Sequence, residues 1–155
     1  MPIYQTTFDV DASAESVWRV LTELDRYGEW NPQIPRASGA IEEHGHIHLR
    51  LALPGRPAMN LVATIETVRP RQLLTWRGHV VAPWFFEGHR TFEIRSAGDR
   101  RVSVTHVEDV HGLLALLFAV FMGGPVERSH HALNHALRAR AAGSHADAPV
   151  TEGQS

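Results

Sequence analysis

The stretch GPVERSHHALNHALRARAA, residues 124–142, reads as one long helix, and the fold turns on it. Gly124 serves as N-cap, and Pro125 fits the first helical position, where an N–H would have no partner anyway. Glu127 in the first turn complements the helix dipole. Val126, His130, Leu133 and Leu137 recur at helical spacing, while Arg128, His131, Asn134, Arg138 and Arg140 flank them, so one stripe faces a core. An imidazole stands in the middle of that stripe, where an apolar side chain is expected. His130 is therefore the first candidate functional residue.

Ahead of this helix runs the apolar segment Leu113 to Met122. It is shorter than the ~20 residues a spanning helix needs, and Gly123, Gly124 and Pro125 interrupt it, so no integral membrane segment is expected. Behind the helix, residues 143–155 are small and polar and read as a disordered tail. Residues 1–142 then form a single domain, as the total of 155 residues suggests. With 43% hydrophobic residues, 21% charged and a net charge of −2, the chain has the balance of a soluble globular protein. The arginines are scattered and form no basic stripe with interleaved aromatics, which argues against nucleic acid as a partner. Cysteine is absent, removing disulfides, thiolate metal sites and Cys nucleophiles. Nothing at the N-terminus resembles a signal peptide, so a cytoplasmic location is expected.

Ile3 to Val10 alternates as a first strand, with Tyr4, Thr6, Phe8 and Val10 on one face. Ser13 caps a short helix whose stripe is Val17, Val20, Leu21 and Leu24. Asp25 to Trp30 adds a turn that Asn31-Pro32 ends, since the residue before proline avoids helical dihedrals. From there to His111 strand-like runs follow one another, divided by Gly, Pro and Asp: Ala37–Ile41, His46–Leu53, Leu61–Val68, Gln72–Val80, Phe85–Arg95 and Arg101–His111. Ala97-Gly98-Asp99 between the last two is the best hairpin signal, read as a loop of about five residues. Strand, short helices, an antiparallel meander and a long helix make an α+β protein with its helices on one face of a sheet.

Several segments carry a family resemblance: Ala12-Ser13-Ala14-Glu15-Ser16-Val17-Trp18, Trp30-Asn31-Pro32, Leu74-Thr75-Trp76, Gly88-His89-Arg90-Thr91-Phe92, Thr105-His106-Val107-Glu108-Asp109 with Gly112, and Leu133-Asn134-His135-Ala136-Leu137. Over Ile3 to about Ala141 the chain resembles the SRPBCC superfamily, the helix-grip fold shared by START lipid-transfer domains, polyketide cyclases and the birch-pollen allergen. The resemblance implies a curved antiparallel sheet of about six or seven strands wrapped around the long C-terminal helix, with one or two short helices after the first strand. It also implies a cavity between sheet and helix, usually filled by a hydrophobic small molecule. His130 departs from the apolar residue expected on the last helix.

Alternation on the final hairpin places Arg90, Phe92 and Ile94 on one face, and Val102, Val104, His106, Glu108 and Val110 on the same face of the next strand. The apolar members turn that face inward. Either register sets Arg90 opposite or diagonal to His106 and Glu108. Functionally, Arg90 would hold a carboxylate or enolate oxygen while His106 or His130 moves a proton and Glu108 sets its charge. Structurally, Arg90 and Glu108 would satisfy each other as a buried pair. His44, His46 and His48 alternate as metal ligands can, but Gly45 makes His44 a turn residue. Ile47, Leu49, Leu51 and Leu53 take the apolar face, leaving His46 and His48 in solvent. His131 and His135 are spaced to chelate zinc, yet lie on the exposed helix face without the HExxH glutamate. No metal site is expected. Trp18, Trp30, Trp76 and Trp84, with Phe85 and Phe86, are core or cavity aromatics, and Trp30 and Trp84, close to Pro32 and Pro83, suit a cavity mouth.

Serine-hydrolase and nucleotide-loop signatures are absent. The leading reading is a carrier or sensor of a small hydrophobic or amphipathic molecule with no obligatory cofactor, acting as monomer or homodimer. Its ligand contacts would be Trp30, Trp76, Trp84, Phe86, Arg90, Phe92, His106, His130, Leu133 and Asn134. The alternatives are a polyketide cyclase- or dehydratase-like enzyme, with Arg90, His106, Glu108 and His130 as catalytic set, and a co-chaperone-like interaction module with an exposed apolar patch.

Overall fold

The computed structural model describes residues 3–146. Seven strands form one antiparallel sheet: β1 (Ile3–Val10), β2 (Arg36–Gly39), β3 (His46–Leu51), β4 (Met59–Arg69), β5 (Leu73–His79), β6 (Glu87–Gly98) and β7 (Arg101–His111). Their spatial order is β1-β7-β6-β5-β4-β3-β2, so the meander β2 to β7 is closed on one side by the N-terminal strand. The helices α1 (Ala14–Thr22) and α2 (Ala115–Ala146) pack against this sheet, which makes the α+β helix-grip fold.

Local chemistry explains the element ends. Ser13 accepts the Ser16 N–H at 3.1 Å and so caps α1, whose buried face is Val17, Val20 and Leu21. A 3-10 segment, Leu24–Glu29, continues it. Asn31 Oδ1 then accepts the N–H groups of Gln33 and Ile34 at 3.0 and 2.8 Å, turning the chain toward β2. In β4 the register shifts between Ile65 and Thr67, a bulge at Glu66 that the plain alternation of this strand does not announce.

Two boundaries differ from the sequence reading. The β6–β7 connection is tighter than a five-residue loop: Gly98 pairs with Arg101, leaving Asp99 and Arg100 between them, with positive φ at Gly98 and Arg100. The long helix begins at Ala115 rather than Gly124, so Gly123, Gly124 and Pro125 lie inside it, and it continues to Ala146 through residues assigned to the tail. Gly and Pro disfavour a helix interior, Pro by about 3 kcal/mol through a lost backbone bond and a ring clash, yet α2 runs through all three. The rest of the expected tail, 147–155, lies outside the described residues.

The core sits between the sheet and the helices. From α2 it receives Val126, Leu133, Leu137 and Ala141; from β6 and β7, Phe92, Ile94, Val102 and Val104. Full burial of each Val, Leu, Ile or Phe side chain contributes about 1.5–3 kcal/mol. The buried stripe of α2 is wider than four residues, because Ser129, His130 and Asn134 are buried with it. Asn134, assigned a flanking position from the sequence, belongs to the inner face. Polar residues on this stripe need partners, and their partners define the site.

Candidate functional site

β6 and β7 are paired so that Arg90 lies opposite Glu108 and Phe92 opposite His106. Both pairs face inward, as alternation requires. Arg90 Nη2 lies 3.0 Å from Glu108 Oε2, with side-chain exposures of 7% and 19%, so this is an almost buried ion pair. From α2, His130 brings Nδ1 to 3.8 Å from the same oxygen. Burial alone would raise the Glu108 carboxyl, but the Arg90 charge, with His130 and His106 beside it, overrides that and holds its pKa at about 2. Glu108 is an anion at any physiological pH.

The histidines form a ladder. The Phe92 and His106 rings stack at 4.3 Å, and those of His106 and His130 at 3.9 Å with 7° between their planes. His106 Nδ1 lies 2.6 Å from Asn134 Oδ1, an arrangement that requires the proton on Nδ1. Burial, reinforced by the positive charge of Arg90 and by His130, pushes the His106 pKa well below the usual histidine value. The ring is therefore neutral, with a lone pair on Nε2. Among the described residues His106 Nε2, both nitrogens of His130 and Asn134 Nδ2 have no hydrogen-bond partner.

His106, Glu108 and His130 bring one ligand atom each to within 4.8 Å of one another, a grouping that the sequence reading did not identify as a metal set. A divalent cation does not fit it. Imidazole donates to a metal along its ring plane, and two parallel stacked rings have no common point in both planes. The carboxylate is also already matched by the Arg90 charge. His46, His48, His131 and His135 are exposed, and His44 occupies a turn with φ 64°.

Beside this polar group opens a cavity of about 220 Å³. Its wall is mainly apolar, built from Leu49 and Leu51 of β3, Leu61 of β4, Trp76 of β5, and Phe85 and Phe86 of the β5–β6 connection, with Ile34 and Leu114. Arg90 and Glu108 stand on the wall as a charged pair. Gly112 holds the rim together: its φ is 103°, and a Cβ there would meet Phe85 O at 2.7 Å. This close approach lets Leu113 and Leu114 donate their N–H groups to Trp84 O and Phe85 O, tying the start of α2 to the β5–β6 connection.

Of the residues singled out from the sequence, Trp76, Phe85, Phe86, Arg90 and Glu108 line the cavity. Phe92, His106, His130, Leu133 and Asn134 stand together behind Arg90 and Glu108 in the core, none of them on the cavity wall. Trp30 packs edge-on against Tyr27 at 5.2 Å and is half-buried away from the cavity. Trp84 is 69% exposed, against Phe85 at the rim. The β3–β4 wall was not named from the sequence, although the signal was there in the apolar alternation Ile47, Leu49, Leu51, Leu53. Gln33, whose Nε2 donates to Ser129 Oγ at 3.0 Å, also escaped notice because a loop glutamine gives no sign of burial.

Solved structures share this architecture at low sequence identity. The Zhui aromatase/cyclase from Streptomyces sp. R1128 superposes with a TM-score of 0.74 at 17% identity, over 90% of this chain and 93% of that one. A START superfamily protein from Mycobacterium smegmatis gives 0.68 at 17% identity, over 93% and 97%. A hypothetical protein from Helicobacter pylori gives 0.76 at 13% identity, over 90% and 88%. No curated protein matches the sequence. No helix among the described residues is long and apolar enough to cross a membrane. The family model described as polyketide cyclase / dehydrase and lipid transport matches residues 1–142, nearly the whole sequence, and the chain belongs to that family.

Proposed function

We propose that this protein binds a small hydrophobic or amphipathic molecule in the cavity beside Arg90 and Glu108, as a cytoplasmic carrier or sensor. The observation that carries the reading is the cavity wall itself: leucines, Trp76, Phe85 and Phe86 form most of it, and the Arg90 charge on it is neutralised by Glu108. Such a wall rewards apolar surface and offers few polar anchors. Trp84 at 69% and Leu113 at 70% exposure, joined by the Leu113 N–H donating to Trp84 O, adjoin Phe85 and Leu114 of the wall, an apolar approach for a greasy guest.

A cyclase or dehydratase using Arg90 with His106 or His130 has less support. Glu108 already occupies Arg90, and neither imidazole lines the cavity. The discriminating experiment is a thermal-shift screen with short-chain lipids and aromatic polyketide-like compounds. A true ligand at ~100 times its Kd adds ~2.7 kcal/mol and raises Tm. A flat response across the library removes the carrier reading.

A further inference from the structure

The sheet does not close completely beside the cavity. β4 pairs with β5 only from Ala63, opposite Gly78, to Arg69, opposite Leu73. The first part of β4, from Met59 to Val62, pairs with β3 alone, while His79 of β5 pairs with Glu87 of β6. Between these diverging ends the ladder has a gap. Leu61 and Val80 flank it, and both belong to the wall of the cavity and to the wall of a groove of about 580 Å³ on the opposite, outer face of the sheet. The cavity and the groove share Leu49, Leu61, His79 and Val80, and so abut where the β4–β5 ladder ends, with the Leu61 side chain packed over Gly78.

The groove has a distinct chemistry. Arg36 of β2 lies directly opposite Arg50 of β3, a like-charge cross-strand pair that costs stability unless something compensates it. His46, His48 and His79 share the groove, and no carboxylate is among its lining residues. At its lip Val81, 81% exposed, holds φ 68° at the centre of a tight turn closed by the Ala82 N–H donating to Val80 O at 2.8 Å. Exposed arginines facing no carboxylate, Arg50 donating only to Asn60 Oδ1 at 3.3 Å, thus lie where the ladder ends beside the apolar interior.

We infer that the ligand is an amphipath with an anionic end: its apolar body fills the cavity, its chain passes between Leu61 and Val80, and its phosphate or carboxylate rests on Arg36 and Arg50 in the outer groove. This deepens the carrier reading and rests on it. The cavity wall is mainly apolar, its imidazoles His79 and His89 apart, and its guanidinium is already matched, so a charged group on the ligand is better placed outside it, and the end of the β4–β5 ladder adjoins the cationic side of the sheet. Arg90 does not serve that role, because Glu108 already neutralises it.

Calorimetric titration at low salt with octanol, octyl phosphate, nonanoate and inorganic phosphate tests this, on the wild-type protein and on Arg36→Gln/Arg50→Gln. Both arginines are exposed, so the double variant keeps the fold. The expected result is that octanol binds both proteins equally, while one or both anionic chains bind the wild type about tenfold more tightly than octanol and lose that advantage in the variant. Whichever of octyl phosphate and nonanoate gains more identifies the anion. If octanol binds but neither anionic chain gains, or if the gain survives in the variant, the threading is wrong while the cavity reading stands. If inorganic phosphate alone binds as tightly as octyl phosphate, the groove is an independent anion site and the threading is again overturned. If no chain binds either protein, the cavity reading fails first and takes this inference with it.

Discussion

Replacing Glu108 with glutamine removes the carboxylate opposite Arg90 and leaves a guanidinium that is almost buried without a counter-charge. At an effective dielectric near 20, two charges about 4 Å apart attract by roughly 4 kcal/mol, and breaking one side of a buried pair typically costs 3–5 kcal/mol. For a chain of this length each kcal/mol corresponds to roughly 2–4 °C, so Tm should fall by about 6–20 °C. Arg90→Met/Glu108→Leu, which removes both charges at similar volume, should recover much of that loss. Thermal and urea denaturation of the wild type, both single variants and the double variant close the cycle, and a coupling of at least ~2 kcal/mol is expected. If Glu108→Gln stays within ~1 kcal/mol of the wild type, the pair does not organise the interior and the site described around it is wrong.

The remaining expectations concern the histidines. Glu108 keeps a carboxyl pKa of about 2 in the folded chain against 4.5 without its partners, so the unfolded chain binds more protons between those values. The stability it contributes, about 3 kcal/mol, is present above pH 4.5 and is lost as pH falls toward 2. His106 acts in the same direction at higher pH: its folded pKa lies well below 6.5, so stability starts to fall as pH drops below 6.5. Urea titrations from pH 7 to 2 should show both limbs, and Glu108→Gln should remove the lower one; a profile flat to pH 3 in the wild type contradicts the ion-pair geometry. His130→Phe extends the aromatic ladder and removes two buried nitrogens that make no hydrogen bond, at the cost of the Nδ1 that stands 3.8 Å from Glu108, so Tm should hold within about 4 °C, while a loss beyond ~2 kcal/mol would mean that the contact with Glu108 is essential. EDTA should leave Tm unchanged, because the stacked imidazoles cannot share a cation; a drop overturns that geometry.

Much of this architecture is legible in the sequence, for identifiable reasons. β1 and β7 carry period-two alternation over their full length, and their ends coincide with the expected ones. The same alternation is enough to turn Arg90, Phe92, His106 and Glu108 to one face, since a one-residue slip would bury the wrong set. What the sequence does not carry is the rotation and height of α2 against the sheet. Those decide that His130 stacks on His106, that Asn134 turns inward, and that the imidazoles end up behind the charged pair rather than on the cavity wall. The break suggested by Gly123-Gly124-Pro125 does not occur, since α2 runs on through these residues, and propensity is only a weak prior for where a helix starts. The cavity lies against β3, β4 and β5, beside the end of the β4–β5 ladder at Ala63 and Gly78, a feature of strand pairing that a linear pattern cannot show.

The most direct test of the central claim is to fill the cavity and ask whether binding disappears. Leu51 stands on its wall at partial exposure, and Leu51→Trp directs an indole into the space without disturbing the Arg90–Glu108 pair. Octanol titrated by calorimetry should bind the wild type with a negative heat-capacity change, the mark of buried apolar surface. In Leu51→Trp it should bind at least about tenfold more weakly, a loss of ~1.4 kcal/mol, with Tm preserved. Equal affinity in the two proteins, or no binding to the wild type, would contradict the claim that this cavity is the ligand site.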